Sequence, residues 1–236
     1  MTLGMDRGGL LRFYAHSKGY LIGRGYGNEI AWQESRLFDR TTESEFLREA
    51  AWVVLASGMK EKVVRQKFPA VSSAFLDWRS AEAIQRKATK CRQAALQTFN
   101  SVRKVDAILK ISGHVAGVGY SKVRESIKSE GVAYIRRLPF MGPITAWHLA
   151  KNIGFPCAKP DRHLTRMAAV AGFAGVHEMC DWIAKRVGEK ISVVDLVLWR
   201  YATCRPDYLT ELHWAMRIEK VPLAYRCRSI PGAPAC

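Results

Sequence analysis

The residues best suited to chemistry lie in one stretch, 138–166, reading LPFMGPITAWHLAKNIGFPCAKPDRHLTR. Pro139 and Gly142 place a tight turn between a helix ending at Arg136 and Arg137 and a second helix running from Ile144 through Ala146, Leu149, Ala150 and Ile153. Two helices joined by so short a hairpin present the second helix's N-terminus at the turn. Its unpaired N–H groups, at residues such as Gly142, Ile144 and Thr145, and the positive end of its dipole face outward there. Such a terminus holds a backbone phosphate without reading any base. Further on, Asp161 follows Pro160 at the start of another helix, with His163 two positions and Arg166 five positions later. Aspartate is a preferred residue at a helix start, so capping alone would account for it.

Composition says what the hairpin would grip. The chain of 236 residues carries 37 Lys and Arg against 21 Asp and Glu, a formal charge of +16. That excess predicts a field attracting polyanions, with nucleic acid the leading partner and a generally basic solvated surface the plainer alternative. Six cysteines at 91, 157, 180, 204, 227 and 236 form no CxxC pair, which argues against a zinc or iron–sulfur centre. His177, Glu178 and Cys180 stand close together, but residues on one short stretch are more often helix surface and core than metal ligands. The scatter of the six cysteines, and a start lacking a long apolar core and a small-residue cleavage site, point to the reducing cytoplasm. No run of about 18 apolar residues is present, so no membrane association is expected.

The elements that must position these residues read as helices almost throughout. Residues 1–42 are rich in Gly, Tyr and Arg and read as an irregular arm. Within it GRGYG lacks the spacing and the Lys-Ser/Thr ending of a phosphate loop. From Thr42 or Ser44, a capping start leads into Phe46, Leu47, Ala50, Ala51, Val54 and Leu55 at helical spacing, ending at Ser57 and Gly58. Segments near 60–67, 80–98, 102–112 and 120–136 repeat the helical period, broken by Pro69, Gly113, Gly117, Gly119 and Gly131. Ser192 and Asp195 read as the cap of an apolar helix, VDLVLWRYA, while Pro206 and Asp207 open another and the stretch from Pro222 onward reads as loose. No internal repeat is found. The fold expected is all-α, with a helical body over 43–153 ending in the helix-hairpin-helix and a second lobe made of 1–42 plus 154–236.

LPFMGPITA resembles the helix-hairpin-helix signature of DNA glycosylases, usually L-P-G-h-G-x-x-T-A with h apolar. KPDRHLTR resembles the catalytic segment of the same superfamily, matched here by Asp161, His163 and Arg166. The superfamily's Gly, Pro and Asp correspond to Gly142, Pro143 and Asp161, and the two motifs stand in the right order, with Asp161 18 positions after Pro143. The likeness, of the endonuclease III type, covers about 43–205 in helix order and about 138–166 in motif.

This resemblance implies an enzyme that flips a modified or damaged base out of duplex DNA and cuts its N-glycosidic bond. Breaking that bond builds positive charge on the sugar, and Asp161 would stabilise it or orient a water. The flipped base needs a pocket between the lobes. Trp32, Trp52 and Trp147 lie nearest the expected cleft, although tryptophan is more often core. Leu138, Phe140, Met141, Gly142, Ile144, Thr145 and Arg166 would meet DNA. Met59, in the turn after the first core helix, would be the wedge filling the vacated stack, or a packed methionine.

Two departures carry consequences. Family members that also nick DNA have a Lys where this chain has Ile144, so a monofunctional enzyme leaving an abasic site is expected unless Lys159 or Lys151 substitutes. Phe140 replaces the usual Gly, which either shifts the hairpin or sets a ring against the DNA backbone. No cofactor is expected beyond a structural monovalent cation at the hairpin, and a monomer acting on double-stranded DNA is expected. A hairpin also serves ligases, helicases and nucleases as a plain phosphate grip, so a non-catalytic DNA-binding module stands as the alternative. A two-metal nuclease ranks below it because the acidic residues are scattered. Alkylated, oxidised, mismatched and bulky modified bases remain open, as do repair and defence against foreign DNA.

Overall fold

The computed structural model describes residues 7–217, which are all-helical, with no strand among them. Helix α1 (Arg7–Gly23) and α2 (Gly27–Ser35) replace the irregular arm expected for the first 42 residues. Glycine content misleads there because burial outweighs propensity. Leu10, Phe13, Tyr14, Ser17 and Leu21 fall on one face of α1 and are all buried. Gly9 is needed for packing: a Cβ there would stand 2.2 Å from the Ala215 carbonyl oxygen, so α1 meets the last described helix backbone to backbone. GRGYG forms the turn between α1 and α2, with Gly25 at φ +85°. The stretch from Pro222 lies outside the described residues.

Helix α3 (Glu43–Ala56) begins as its sequence suggests, with Thr42 at the N-cap. Glu45 N–H donates to Thr42 Oγ1 at 3.2 Å and Thr42 N–H donates back to the Glu45 carboxylate at 2.9 Å, the reciprocal capping box. Then follow α4 (Glu61–Ala74), α5 (Ala81–Arg86), α6 (Ala88–Thr98), α7 (Val102–Val118), α8 (Tyr120–Glu130) and α9 (Val132–Ile135). Of the expected breaks, Gly119 and Gly131 hold, at φ +86° and +62°. Pro69, Gly113 and Gly117 do not. Pro69 sits on the exposed side of α4 while Val64, Phe68 and Val71 are buried on the other, and that burial carries the helix through the proline.

After the hairpin come α10 (Thr145–Asn152), α11 (Arg162–Val170), α12 (Val176–Val187), α13 (Ile191–Cys204) and α14 (Tyr208–Arg217). Ser192 and Asp195 do not cap α13. The helix starts at Ile191 after Lys190, and both residues are buried inside it.

The buried side chains form two clusters. One gathers α3 to α10 with Phe38 and Cys157. The other gathers α1, α2, Ala158 and α11 to α14. Where residues 37–41 cross 153–154, just before the chain leaves the first cluster after Cys157, Gly154 takes φ +83°, and a Cβ there would lie 2.7 Å from Phe38 N. Thr41 Oγ1 donates to the Ile153 carbonyl at 2.8 Å across the same crossing, so the two passages of chain are pressed together. No described helix is long and apolar enough to cross a membrane.

Candidate active site

The hairpin is built from short backbone bonds. Leu138 N–H donates to Ile135 O at 3.0 Å, Met141 N–H to Leu138 O at 3.1 Å, and Ala146 N–H to Gly142 O at 3.1 Å. Thr145 Oγ1 closes the turn on the Phe140 carbonyl at 3.0 Å. Leu138 and Met141, expected to meet DNA, are instead buried in the first cluster, where their side chains anchor the turn. Gly142, Pro143 and Ile144 are exposed, Ile144 being the N-cap of α10.

Phe140 does not shift the turn away from a glycine-like conformation. It adopts φ +68° itself, a left-handed backbone that costs an L-residue about 1–2 kcal/mol. Its half-buried ring rests on the first cluster, with the Arg103 guanidinium 5.9 Å from the ring centroid. The packing of the ring offsets the strain.

Asp161 is the N-cap of α11, at φ −84° and ψ 171°. One carboxylate oxygen, Oδ1, accepts from His163 N–H at 2.9 Å and Leu164 N–H at 3.0 Å. Oδ2 carries no hydrogen bond among the described residues, and the side chain is partly exposed. One oxygen of the carboxylate is thus fixed by the helix. His163 Nδ1 lies 3.2 Å from the Tyr208 hydroxyl, ring edge to ring face, which fastens α11 to α14. Burial first, then Arg162 and Arg166 against the opposing charge of Asp161, holds its imidazole below the ordinary range. Arg166 is exposed on the same helix.

Behind Asp161 lies a buried charged group. Lys151 of α10 pairs with Asp195 of α13, and Asp195 Oδ2 accepts from Lys159 N–H at 2.6 Å. The Lys159 ammonium is held below its ordinary range by burial and then by Lys151, with Asp161 and Asp195 opposing. Half-buried His148 is pushed well below the imidazole range by burial and by the charges of Lys159 and Lys151. Of the two amines named as substitutes for a lysine at 144, Lys151 is committed to Asp195. Lys159 has no hydrogen bond from its ammonium among the described residues.

Met59 is 42% exposed in the turn after α3, where Gly58 takes φ +68°. Lys104 closes that helix end, donating to Leu55 O at 2.7 Å and Ser57 O at 2.6 Å. Trp52 packs edge to face on Phe68 at 5.1 Å, with Arg65 5.8 Å from its centroid. Trp147 approaches His177 at 6.4 Å, and Arg36 stands 5.6 Å from the Trp32 centroid. All three tryptophans are half-buried. An open groove of about 780 Å³ is lined by Leu37, Phe38, Phe155, Asp181 and Lys185, among others, and does not include Asp161. Among the described residues no group of three or more His, Cys, Asp or Glu is placed to hold a metal ion.

A second charged group joins helices of both clusters. Arg200 of α13 donates to Glu29 of α2 through Nε and Nη2, each at 3.0 Å, and to Glu61 of α4 at 3.2 Å. Tyr26 and Trp199 rings flank its guanidinium at 5.1 and 4.6 Å. Burial alone would raise the Glu61 carboxyl, but Arg200 and Arg65 outweigh it and hold the pKa below its ordinary value. A depressed acid contributes stability that is present above the unfolded pKa of about 4.3 and is lost as pH falls through the folded value. Glu61→Gln is therefore expected to lower the melting temperature at pH 6, with the gap from wild type narrowing as pH falls below about 4.3. A gap independent of pH would contradict this.

Sequence reasoning did not find Lys104, the Lys151 and Asp195 pair, or the Arg200 group. One signal was available for the second: a lone acid in an apolar run such as VDLVLWRYA requires a buried cation partner. No family model matches this sequence, and no curated protein matches it.

Proposed function

We propose that the chain is a DNA glycosylase of the helix-hairpin-helix superfamily, hydrolysing the N-glycosidic bond of a modified or damaged base and leaving an abasic site. The observation that carries this reading is the state of Asp161. The motif puts a carboxylate at a helix start, and in this partly exposed residue one oxygen is spent on the cap while the other has no hydrogen bond among the described residues. A fixed carboxylate with a free oxygen can stabilise an oxocarbenium-like sugar or orient the attacking water.

In this reading the two clusters are two lobes, and the base enters a cleft between them. The exposed hairpin residues Gly142, Pro143 and Ile144, with the α10 N-terminus, grip a phosphate. Arg166 would reach another, and Met59 would fill the space left by the flipped base. Resident metal is not required by this chemistry. The enzyme acts as a monomer on cytoplasmic duplex DNA.

The test is incubation with duplexes carrying alkylated, oxidised, mismatched or bulky modified bases, followed by alkaline cleavage at abasic sites, with Asp161→Asn in parallel. Wild-type cleavage at one modified base, absent in the variant, supports the proposal. Binding without any cleavage, unaltered in Asp161→Asn, identifies a non-catalytic grip instead. Duplex affinity should also fall log-linearly with salt, by about tenfold or more between 50 and 200 mM, because each neutralised phosphate releases counterion. A flat response in a binding titration would exclude duplex DNA as the ligand.

A further inference from the structure

We propose that Asp195 is a positioning residue that couples the hairpin helix to the segment carrying Asp161; the proposal rests on the glycosylase reading. Three elements converge on this one carboxylate or on its partner. Oδ1 takes the Lys151 ammonium, from the helix that begins at the hairpin. Oδ2 takes the Lys159 N–H at 2.6 Å, two residues before Asp161. The Lys151 carbonyl in turn accepts from Gln33 Nε2 at 3.2 Å, which ties in α2.

The side chains of Lys151 and Asp195 are 6% and 1% exposed, and their neighbours on α13, Val193, Val194, Leu196, Val197 and Leu198, are all buried and apolar. An apolar residue would suit that environment for stability alone, since the cost of dehydrating two charges offsets most of their attraction. What an apolar residue cannot do is accept from two elements at once. Pro160 fixes φ between the clamped Lys159 and the capping Asp161, so the hold on one is passed to the other. A phosphate gripped at the α10 N-terminus is thereby set at a fixed distance from the carboxylate that meets its sugar.

Asp195→Asn alone would leave the Lys151 ammonium buried and unpaired, so two double variants are compared. Lys151→Met with Asp195→Asn removes the charges and keeps an acceptor for Lys159 N–H. Lys151→Met with Asp195→Leu removes both. Single-turnover base release is expected to fall by about 10²-fold in the Leu pair, with a smaller loss in the Asn pair, while duplex affinity changes less than about twofold. Amide exchange at His163 and Leu164, the two groups capped by Asp161, should accelerate in the same order. Should neither pair fold, Asp195→Glu, with its arm longer by one methylene, is expected to slow base release and accelerate exchange at His163 and Leu164 with duplex affinity changed less than about twofold, and wild-type values of both would overturn the proposal.

Wild-type release and wild-type exchange in the Leu pair would overturn the proposal. So would equal loss in both pairs, or a loss confined to duplex affinity. If wild-type protein releases no base from any duplex, the glycosylase reading fails. The exchange rates at His163 and Leu164 then decide the positioning role, and unchanged rates reject it.

Discussion

Replacing Asp161 with asparagine is expected to slow base release by about 10²–10³-fold while leaving the helix it caps in place. Asparagine caps a helix as well as aspartate does, so the bonds now made by Oδ1 to His163 and Leu164 N–H survive in kind. What changes is the other oxygen, which carries no hydrogen bond among the described residues. It becomes a neutral amide that can neither balance a cationic sugar nor accept a proton from water. Because that charge matters only as the bond breaks, the loss falls on kcat and not on duplex affinity. Circular dichroism and melting should match wild type within a few degrees. Excision at the wild-type rate would remove Asp161 from the mechanism.

The second large effect is all or none. Borohydride should trap no covalent protein–DNA adduct with the wild-type chain, and the product strand should stay intact until alkali is added. Ile144 supplies an exposed side chain at the start of α10 but no nucleophile, and the Lys151 ammonium is buried against Asp195. Introducing the amine by Ile144→Lys is expected to produce a trapped Schiff base at the exposed helix start. Lys159 is the amine to watch. Burial and Lys151 lower its pKa, which favours the neutral nucleophile, although its backbone is clamped to Asp195. A wild-type adduct that disappears in Lys159→Ala would overturn the monofunctional reading and leave the glycosylase reading standing.

Local signals explain which parts of this protein were legible before its structure. The Thr42 capping box, the Gly119 and Gly131 breaks and the Asp161 cap are each set by a residue acting on its own neighbours, so a short window of sequence contains the cause. The turn between α9 and α10 reads for the same reason, but the φ of +68° at Phe140 does not, since the sequence left open whether that residue shifts the turn. Long-range packing governs the rest. α1 is a helix because Leu10, Phe13 and Leu21 meet the second cluster, and Gly9 belongs in it because Ala215 lies against it. The role of Asp195 depends on Lys151 and Lys159, 44 and 36 positions earlier. Arg200 reaches Glu29 across 171 positions. No periodicity within α13 carries that information.

The most direct measurement is free base released by the wild-type chain from duplexes carrying a modified base, detected by mass spectrometry in single-turnover reactions and compared with abasic sites formed in the same tubes. The account predicts one intact base freed for each abasic site, with the sugar–phosphate strand unbroken. Tight duplex binding with no base released from any modified duplex would contradict it.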